Sequence, residues 1–387
     1  MERSLSLIVW FGLACPWAAS SAEPQLSTVT AAQVRPHVET LAGPDYRGRR
    51  GPDAFRAAQY LVARFREMKL KPLFPEGRFD QRIPGDSDRE EGAHIVGVNV
   101  GGWIEGSDPV LKNEFVVIGM HHDHLGVRDG EIFAGADDNA TGVAMMLETA
   151  RAIAALKTPP KRSVAFIGFD LEEHLLWGSR WFVAHPPWPL TKIKLFITAD
   201  MIGRSLGDLP LPVVFVMGSE HSPAIRETLD RSVRPNEVEI ARLGIDLVGT
   251  RSDYGPFRDR QIPFLFFSTG QHPDYHSPND VPMKVNYDKV AQVTNLAARI
   301  TRSVADTTEA PLWTSEVALT LDEPRAMERI TTLLLETEAT KPLTDVQRYM
   351  VSTVRNRTRR ILEKGAMTAD DRTWLTRMSQ LMLLSVF

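Results

Sequence analysis

Five short segments of this chain of 387 residues carry the imidazoles and carboxylates that hydrolytic metal chemistry uses. They are His121-His122-Asp123, Gly135 to Asn139 with Asp137 and Asp138, Glu172-Glu173, Asp200 and Asp274-Tyr275-His276. Nitrogen and oxygen donors without thiolates suit zinc, and two such ions need a carboxylate between them. Asp138 is the natural bridge, because it leads into a helix and a carboxylate near a helix N-terminus is electrostatically favoured. Taken alone, Asp137, Asp138 and Asn139 read more simply as caps of that helix. His121 and Asp123 share one face of an extended segment, so one can bind metal while the other orients it, and His122 and His124 fall to packing or to the rim. Glu172 and Glu173 divide in a similar way, with one carboxylate for a metal and its neighbour free to take a proton from water.

Four of these segments follow apolar runs short enough to be buried strands: Phe115 to Met120, Val164 to Phe169, Leu195 to Ala199 and Pro263 to Ser268. In an open α/β sheet the carboxyl ends of the strands form the ligand crevice, so residues far apart in sequence converge there. Each segment alone has an ordinary structural explanation; five of them together, four after successive strands, point to one site.

The elements around them read as α/β: a central, mostly parallel mixed sheet with helices on both faces. Thr30 to Leu41 and Asp53 to Lys69 are expected helices, the second with Asp53 as its cap. Between them, Leu41 to Gly51 reads as an irregular surface loop. Ile95 to Val100 and Glu114 to Met120 read as neighbouring strands of hairpin character, and Ala140 to Leu156 as a helix close-packed on the sheet. From about Ala310 the strand signal stops, and Glu323 to Thr337, Thr344 to Lys364 and Thr368 to Leu384 have helical periodicity, with Thr368 and Asp371 spaced as a capping box. The expected organisation is therefore a catalytic domain over 23–309 and a helical extension over 310–387. Packing on the main domain is the simplest reading of that extension, with substrate gating or dimer formation as alternatives.

The runs Val116 to Gly126, Gly135 to Gly142, Phe169 to Glu173 with Gly178-Ser179, Thr198 to Gly203, Ser252 to Phe257 and Thr269 to Pro278 resemble the dizinc aminopeptidase family. That family also includes glutamate carboxypeptidases, glutaminyl cyclases and the transferrin-receptor ectodomain. The resemblance runs in order from about residue 35 to 305. It implies two zinc ions per chain, one held by His121 and Asp200, the other by Glu173 and His276, with Asp138 between them. It also implies that Asp123 orients His121, that Glu172 is the general base, and that the Tyr275 hydroxyl stabilises the tetrahedral oxyanion. A cis peptide from Asp138 to Asn139 is expected on the same ground. Tyr254 departs from the pattern, since many relatives carry His there, and His174 to Trp177 is less usual than the Leu-Gly-rich version. Leu73 to Trp103 is too short for a protease-associated insert.

Hydrolysis of the N-terminal bond of a peptide substrate is the implied activity. The same fold admits a single-zinc glutaminyl cyclase, a carboxypeptidase for acidic C-termini and a binding protein that has lost its ligands. A carboxypeptidase would need a cluster of arginines in its pocket, and sequence alone does not say whether Arg204, Arg251, Arg258 or Arg260 lies there.

With 43% apolar residues the chain can bury a large core, and its 45 basic against 49 acidic residues leave a net charge of -4 with no long run of one sign. That balance excludes an electrostatic nucleic-acid footprint. Residues 1–22 read as an export signal, with Arg3, an apolar stretch from Leu5 to Ala14 and small residues up to Ala22. The apolar stretch is too short for a span of roughly 20 residues, so a periplasmic or extracellular protein is expected. Cys15, the single cysteine, falls inside the leader, and lipid attachment there is disfavoured by Gly12, where such signals carry a large aliphatic residue. The mature chain then has neither a disulfide nor a cysteine nucleophile.

Overall fold

The computed structural model describes residues 26–85, 94–340 and 342–386, so the expected leader and Cys15 lie outside the described residues. Helices α1 (Ala31–Leu41) and α2 (Pro52–Glu67) come first. Strands β1 (Lys71–Pro72), β2 (Asp80–Pro84), β3 (Ile95–Ile104) and β4 (Phe115–His121) follow, then a small hairpin of β5 (Gly126–Arg128) and β6 (Glu131–Phe133). Next are α3 (Gly142–Ala154), β7 (Ser163–Phe169), α4 (Trp177–Ala184), β8 (Ile193–Ala199) and β9 (Val213–Met217). The sheet is completed by β10 (Glu239–Arg242) and β11 (Phe264–Ser268), with α5 (Pro223–Ser232), α6 (Tyr254–Arg258) and α7 (Tyr287–Asp306) around them. Three helices end the chain: α8 (Asp322–Glu336), α9 (Asp345–Lys364) and α10 (Ala369–Ser385).

The large sheet runs in the order β1-β3-β7-β4-β8-β11-β9-β10, with β2 also paired to β3. Its centre, β7-β4-β8-β11, is parallel, while β3 and β9 join antiparallel on either side. Those four central strands are the ones expected to carry the site. They are apolar without alternation because both faces are buried. Val116, Ile118, Leu195, Ile197, Leu265 and Phe267 belong to the core shared with α3 and α7. Val117, Ile167, Phe196, Phe264 and Phe266 face the opposite core, beneath α4, α6 and the C-terminal helices.

The chain leaves β4, packs α3 on one face and returns as β7; it then packs α4 on the other face and returns as β8 on β4's far side. The direction of winding thus reverses at β4. A reversal of this kind opens a crevice at the carboxyl ends of the strands, and His121 ends β4 at that point.

Three local expectations differ. β3 and β4 are not neighbours, because β7 lies between them; proximity in sequence misled where a later strand inserts. α2 is capped by Gly51 with Pro52 at its first position, not by Asp53. A proline there gives up an N–H that has no helical partner anyway. The helix expected from Ala140 begins at Gly142, after a wide irregular turn over Ala136–Thr141.

The C-terminal helices are continuous with the main core: Met327, Ile330, Leu334, Val351, Val354 and Met382 share an apolar cluster with Phe215 and Phe266. The Thr368 hydroxyl accepts the Asp371 N–H at 3.2 Å while the Asp371 carboxylate accepts the Thr368 N–H at 3.2 Å, the reciprocal box expected there. Among the described residues no helix is long and apolar enough to cross a membrane.

Candidate active site

His121 Nε2 lies 3.5 Å from an Asp138 oxygen and 3.5 Å from Asp200. His276 Nε2 lies 3.3 Å from the other Asp138 oxygen and 3.3 Å from Glu173. Asp138 therefore offers one oxygen to each side. Asp123 faces His121 Nδ1 at 3.8 Å, beyond hydrogen-bond reach, and its carboxylate accepts the backbone N–H groups of Glu172 at 3.0 Å and Glu173 at 3.4 Å. One side chain thus holds the turn after β7 against the end of β4. Tyr275 stacks on His276 with ring centres 3.9 Å apart.

The turns after three of these strands each include a non-glycine residue in the left-handed region: Leu171 at φ 57°, Met201 at φ 55° and His276 itself at φ 53°. Such backbone is held only where its surroundings over-determine it, and it clusters at functional sites. The peptide from Asp138 to Asn139 is cis, as expected.

Burial pushes the carboxyls of Asp123, Glu172 and Asp200 upward. Asp170 adds to this at Asp123, Asp253 and Asp200 at Glu172, and Asp138 at Asp200. Burial acts the same way on Glu173, but the imidazoles of His124 and His276 outweigh it and hold that carboxyl below its ordinary range. His276 is drawn the other way: burial disfavours its charge, and Asp138 and Glu173 raise it to about 10.

This packing fits divalent cations. His121 Nδ1 and Nε2, His124 Nε2 and Asp200 Oδ1 are buried without a hydrogen-bond partner, a state that buried polar atoms rarely tolerate. Among the described residues, His121, Glu172 and Asp200 bring one donor atom each within 4.8 Å of one another, as do His124, Asp138 and Glu173. Such grouping sets Glu172 beside His121 and Asp200, and His124 beside Glu173. His124, expected to pack or line the rim, has Nδ1 2.8 Å from Glu173 Oε1. Its signal in the sequence was its place three residues after His121. His122 is a packing residue: burial, then the Arg49 guanidinium, lowers it to about 3, so it is neutral.

Behind the site lies a residue that sequence reasoning missed. Arg49, in the loop expected at the surface, is fully buried. Its guanidinium donates to the carbonyls of His122 at 2.9 Å, Leu41 at 2.9 Å, Ala134 at 2.7 Å, Gly135 at 2.8 Å and Asp138 at 3.3 Å. Asp280 accepts the Asp137 and Asp138 N–H groups at 2.9 and 3.0 Å. The Asn139 side chain accepts the Gly142 N–H at the start of α3 at 3.0 Å and donates to the Ala199 carbonyl at 2.8 Å. Gly135 has φ 58°, and a Cβ there would lie 2.2 Å from the Asp138 carbonyl oxygen; only glycine fits. Tyr254 is buried, and its hydroxyl accepts the Arg251 N–H at 2.9 Å and donates to the Gly249 carbonyl.

The pattern of peptidase family M28 matches residues 99–301. Leupeptin-inactivating enzyme 1 of Streptomyces exfoliatus is 32% identical over 163 residues, 41% of this chain and 32% of that protein, so the alignment spans about a third of the relative's length. A glutaminyl-peptide cyclotransferase of Boiga dendrophila is 28% identical over 288 residues, 62% of this chain and 74% of that protein. A zinc aminopeptidase from Bacillus subtilis shares the fold, with a TM-score of 0.56 over 76% of this chain and 100% of that one, at 15% identity.

Proposed function

The chain belongs to peptidase family M28, and on that premise we propose that it is a zinc-dependent aminopeptidase that removes the N-terminal residue of peptides. One observation carries the reading: Asp138 stands 3.5 Å from His121 through one oxygen and 3.3 Å from His276 through the other, a carboxylate between two groups of donors. In this reading His121 and Asp200 hold one zinc, Glu173 and His276 hold the other, and Asp138 belongs to both. Zinc bound there would supply Lewis acidity for the scissile carbonyl and for the attacking water.

The chain's own residues handle the proton and the geometry. Glu172 takes the proton from the water and returns it to the leaving amine. Its burial beside Asp253 and Asp200 raises its proton affinity, which suits a group that must hold that proton between the two transfers. Asp123 fixes the Glu172–Glu173 turn through two backbone N–H groups. The Tyr275 hydroxyl is the donor for the developing oxyanion.

A free N-terminus is favoured over a C-terminal carboxylate by the arginines. Arg204 is engaged by Asp208 at 2.9 Å and Asp274 at 3.1 Å, and Arg258 by Asp259 at 2.8 Å. Arg251 lines the cavity beside Asp200, and Arg204 and Arg258 do not. A lone guanidinium is a poor match for the arginine cluster that carboxylate recognition needs. The proposal extends to export by the leader over 1–22, with the catalytic domain over 23–309 and the helical extension over 310–387.

The test uses one peptide in three forms, with a free N-terminus, with an acetylated N-terminus and with glutamine first, followed by mass spectrometry. Loss of N-terminal residues from the forms with a free N-terminus, and none from the acetylated form, is expected. Shortening from the C-terminus would turn the reading to a carboxypeptidase, and conversion of N-terminal glutamine to a pyroglutamyl ring to the cyclase that the Boiga relative represents.

A further inference from the structure

We propose that α8 and α10 complete a specificity pocket for a large apolar side chain, such as leucine, methionine or phenylalanine, at the substrate's N-terminal residue. This deepens the aminopeptidase reading and rests on it. The pocket is a cavity of about 120 Å³ that begins at Asp200 and Tyr275 and runs between the sheet and the C-terminal helices.

Its floor is the face of β9 and β11 formed by Phe215, Met217 and Phe266, all buried. Its far wall is Met327 and Ile330 of α8 with Ser379, Met382 and Leu383 of α10. The spacings i, i+3 on α8 and i, i+3, i+4 on α10 put each set on one helix face. These two helices lie beyond residue 301, where the family pattern ends, so the wall is contributed by the extension.

Charge decides what the pocket accepts. The end at the donor groups carries Asp200, with Glu172 close behind. The remainder is lined mainly by apolar side chains, and the one cationic lining residue, Arg251, is exposed. An ionised side chain would lose its hydration there without a buried partner, whereas an apolar one gains by burial.

The wall is fixed rather than loosely laid on. Arg372 of α10 makes paired bonds to Asp246 at 2.7 and 2.7 Å and reaches Glu323 of α8 at 3.1 Å. Gln380 donates to the Asp246 carbonyl at 2.9 Å, and the Ser379 hydroxyl to the Leu247 carbonyl at 3.4 Å. A fixed wall gives discrimination by volume, since one methylene in such a pocket is worth roughly 10- to 200-fold in kcat/KM.

The test fills and empties the pocket from the extension side. Ser379→Phe narrows it and Met327→Ala widens it, and kcat/KM is measured for leucyl, phenylalanyl and alanyl reporter substrates with the full chain. The wild type is expected to prefer leucyl over alanyl by tenfold or more. Ser379→Phe should lower that ratio at least about tenfold, and Met327→Ala should move preference from leucyl toward phenylalanyl. In parallel, calorimetric titration with free L-leucine and L-alanine reads binding without turnover, and the leucine preference should shrink in Ser379→Phe. Ratios unchanged in both variants, or an equal loss with every substrate, would overturn the pocket while leaving the aminopeptidase reading intact. A chain that hydrolyses none of the substrates yet binds leucine over alanine through Ser379 would keep the pocket and sink that reading. Absence of both hydrolysis and leucine preference would overturn both.

Discussion

Replacing Arg49 with methionine tests whether the site is held together from behind. The side chain is fully buried and spends its donors on five carbonyls, two of them on His122 and Asp138. Hydrogen bonds from a charged donor contribute roughly 1.5–3 kcal/mol each, so their gross sum is about 8–15 kcal/mol. Most of that is offset, because a buried guanidinium has lost its hydration and methionine fills part of the space. Removing one partner of a buried charged arrangement typically costs about 3–5 kcal/mol net, and we expect about 4 kcal/mol here. For a chain of this size that corresponds to a fall in Tm of roughly 5–10 °C. Because the freed carbonyls flank the donors, zinc affinity should fall about 10- to 100-fold, as when a ligand loses its supporting contacts. Arg49→Lys, with three donors, should recover part of both. Differential scanning calorimetry and competition with a chromophoric chelator measure the two effects. A methionine variant within 1 °C of wild type and with unchanged zinc affinity would refute the reasoning.

Other substitutions probe separate links. Glu172→Gln should keep bound metal while kcat falls about 10²- to 10⁴-fold; full activity would remove Glu172 from proton transfer. Gly135→Ala forces a Cβ to within 2.2 Å of the Asp138 carbonyl oxygen at φ 58°. It should lower both Tm and metal content, and a fully loaded variant with wild-type Tm would contradict the close approach. Glu220, which accepts the Gly218 and Ile245 N–H groups at 2.7 Å each, is raised by burial to about 7. Its folded form binds the proton more tightly than the unfolded chain, so its contribution is complete below about pH 4.5 and is lost as pH rises to about 7. The loss is about 3 kcal/mol. Urea unfolding of wild type and Glu220→Gln at both ends of that window should differ by about this amount, and parallel pH profiles would contradict it.

The central sheet was legible because burial on both faces leaves its strands as unbroken apolar runs. The convergence of Asp138, Asp200, Glu173 and His276 was legible because each follows such a run or enters a helix, where a polar residue stands out. Sequence order did not reveal that β7 separates β3 from β4, since strand neighbours are chosen by packing across the sheet. Arg49 was hidden for a different reason. Its partners are main-chain carbonyls, which any residue type supplies, so nothing in side-chain chemistry marks them. His124 was set aside because alternation along an extended strand turns neighbours to opposite faces. The strand ends at His121, and beyond it the chain is free to bring His124 back toward Glu173.

Metal content per chain, measured by elemental analysis on a preparation also assayed for release of N-terminal residues before and after chelation, is the most direct test of the account. Two zinc ions per chain, with hydrolysis abolished by the chelator and restored by zinc, is the predicted result. A chain that binds no divalent metal, or that cleaves peptides equally well after chelation, would contradict it.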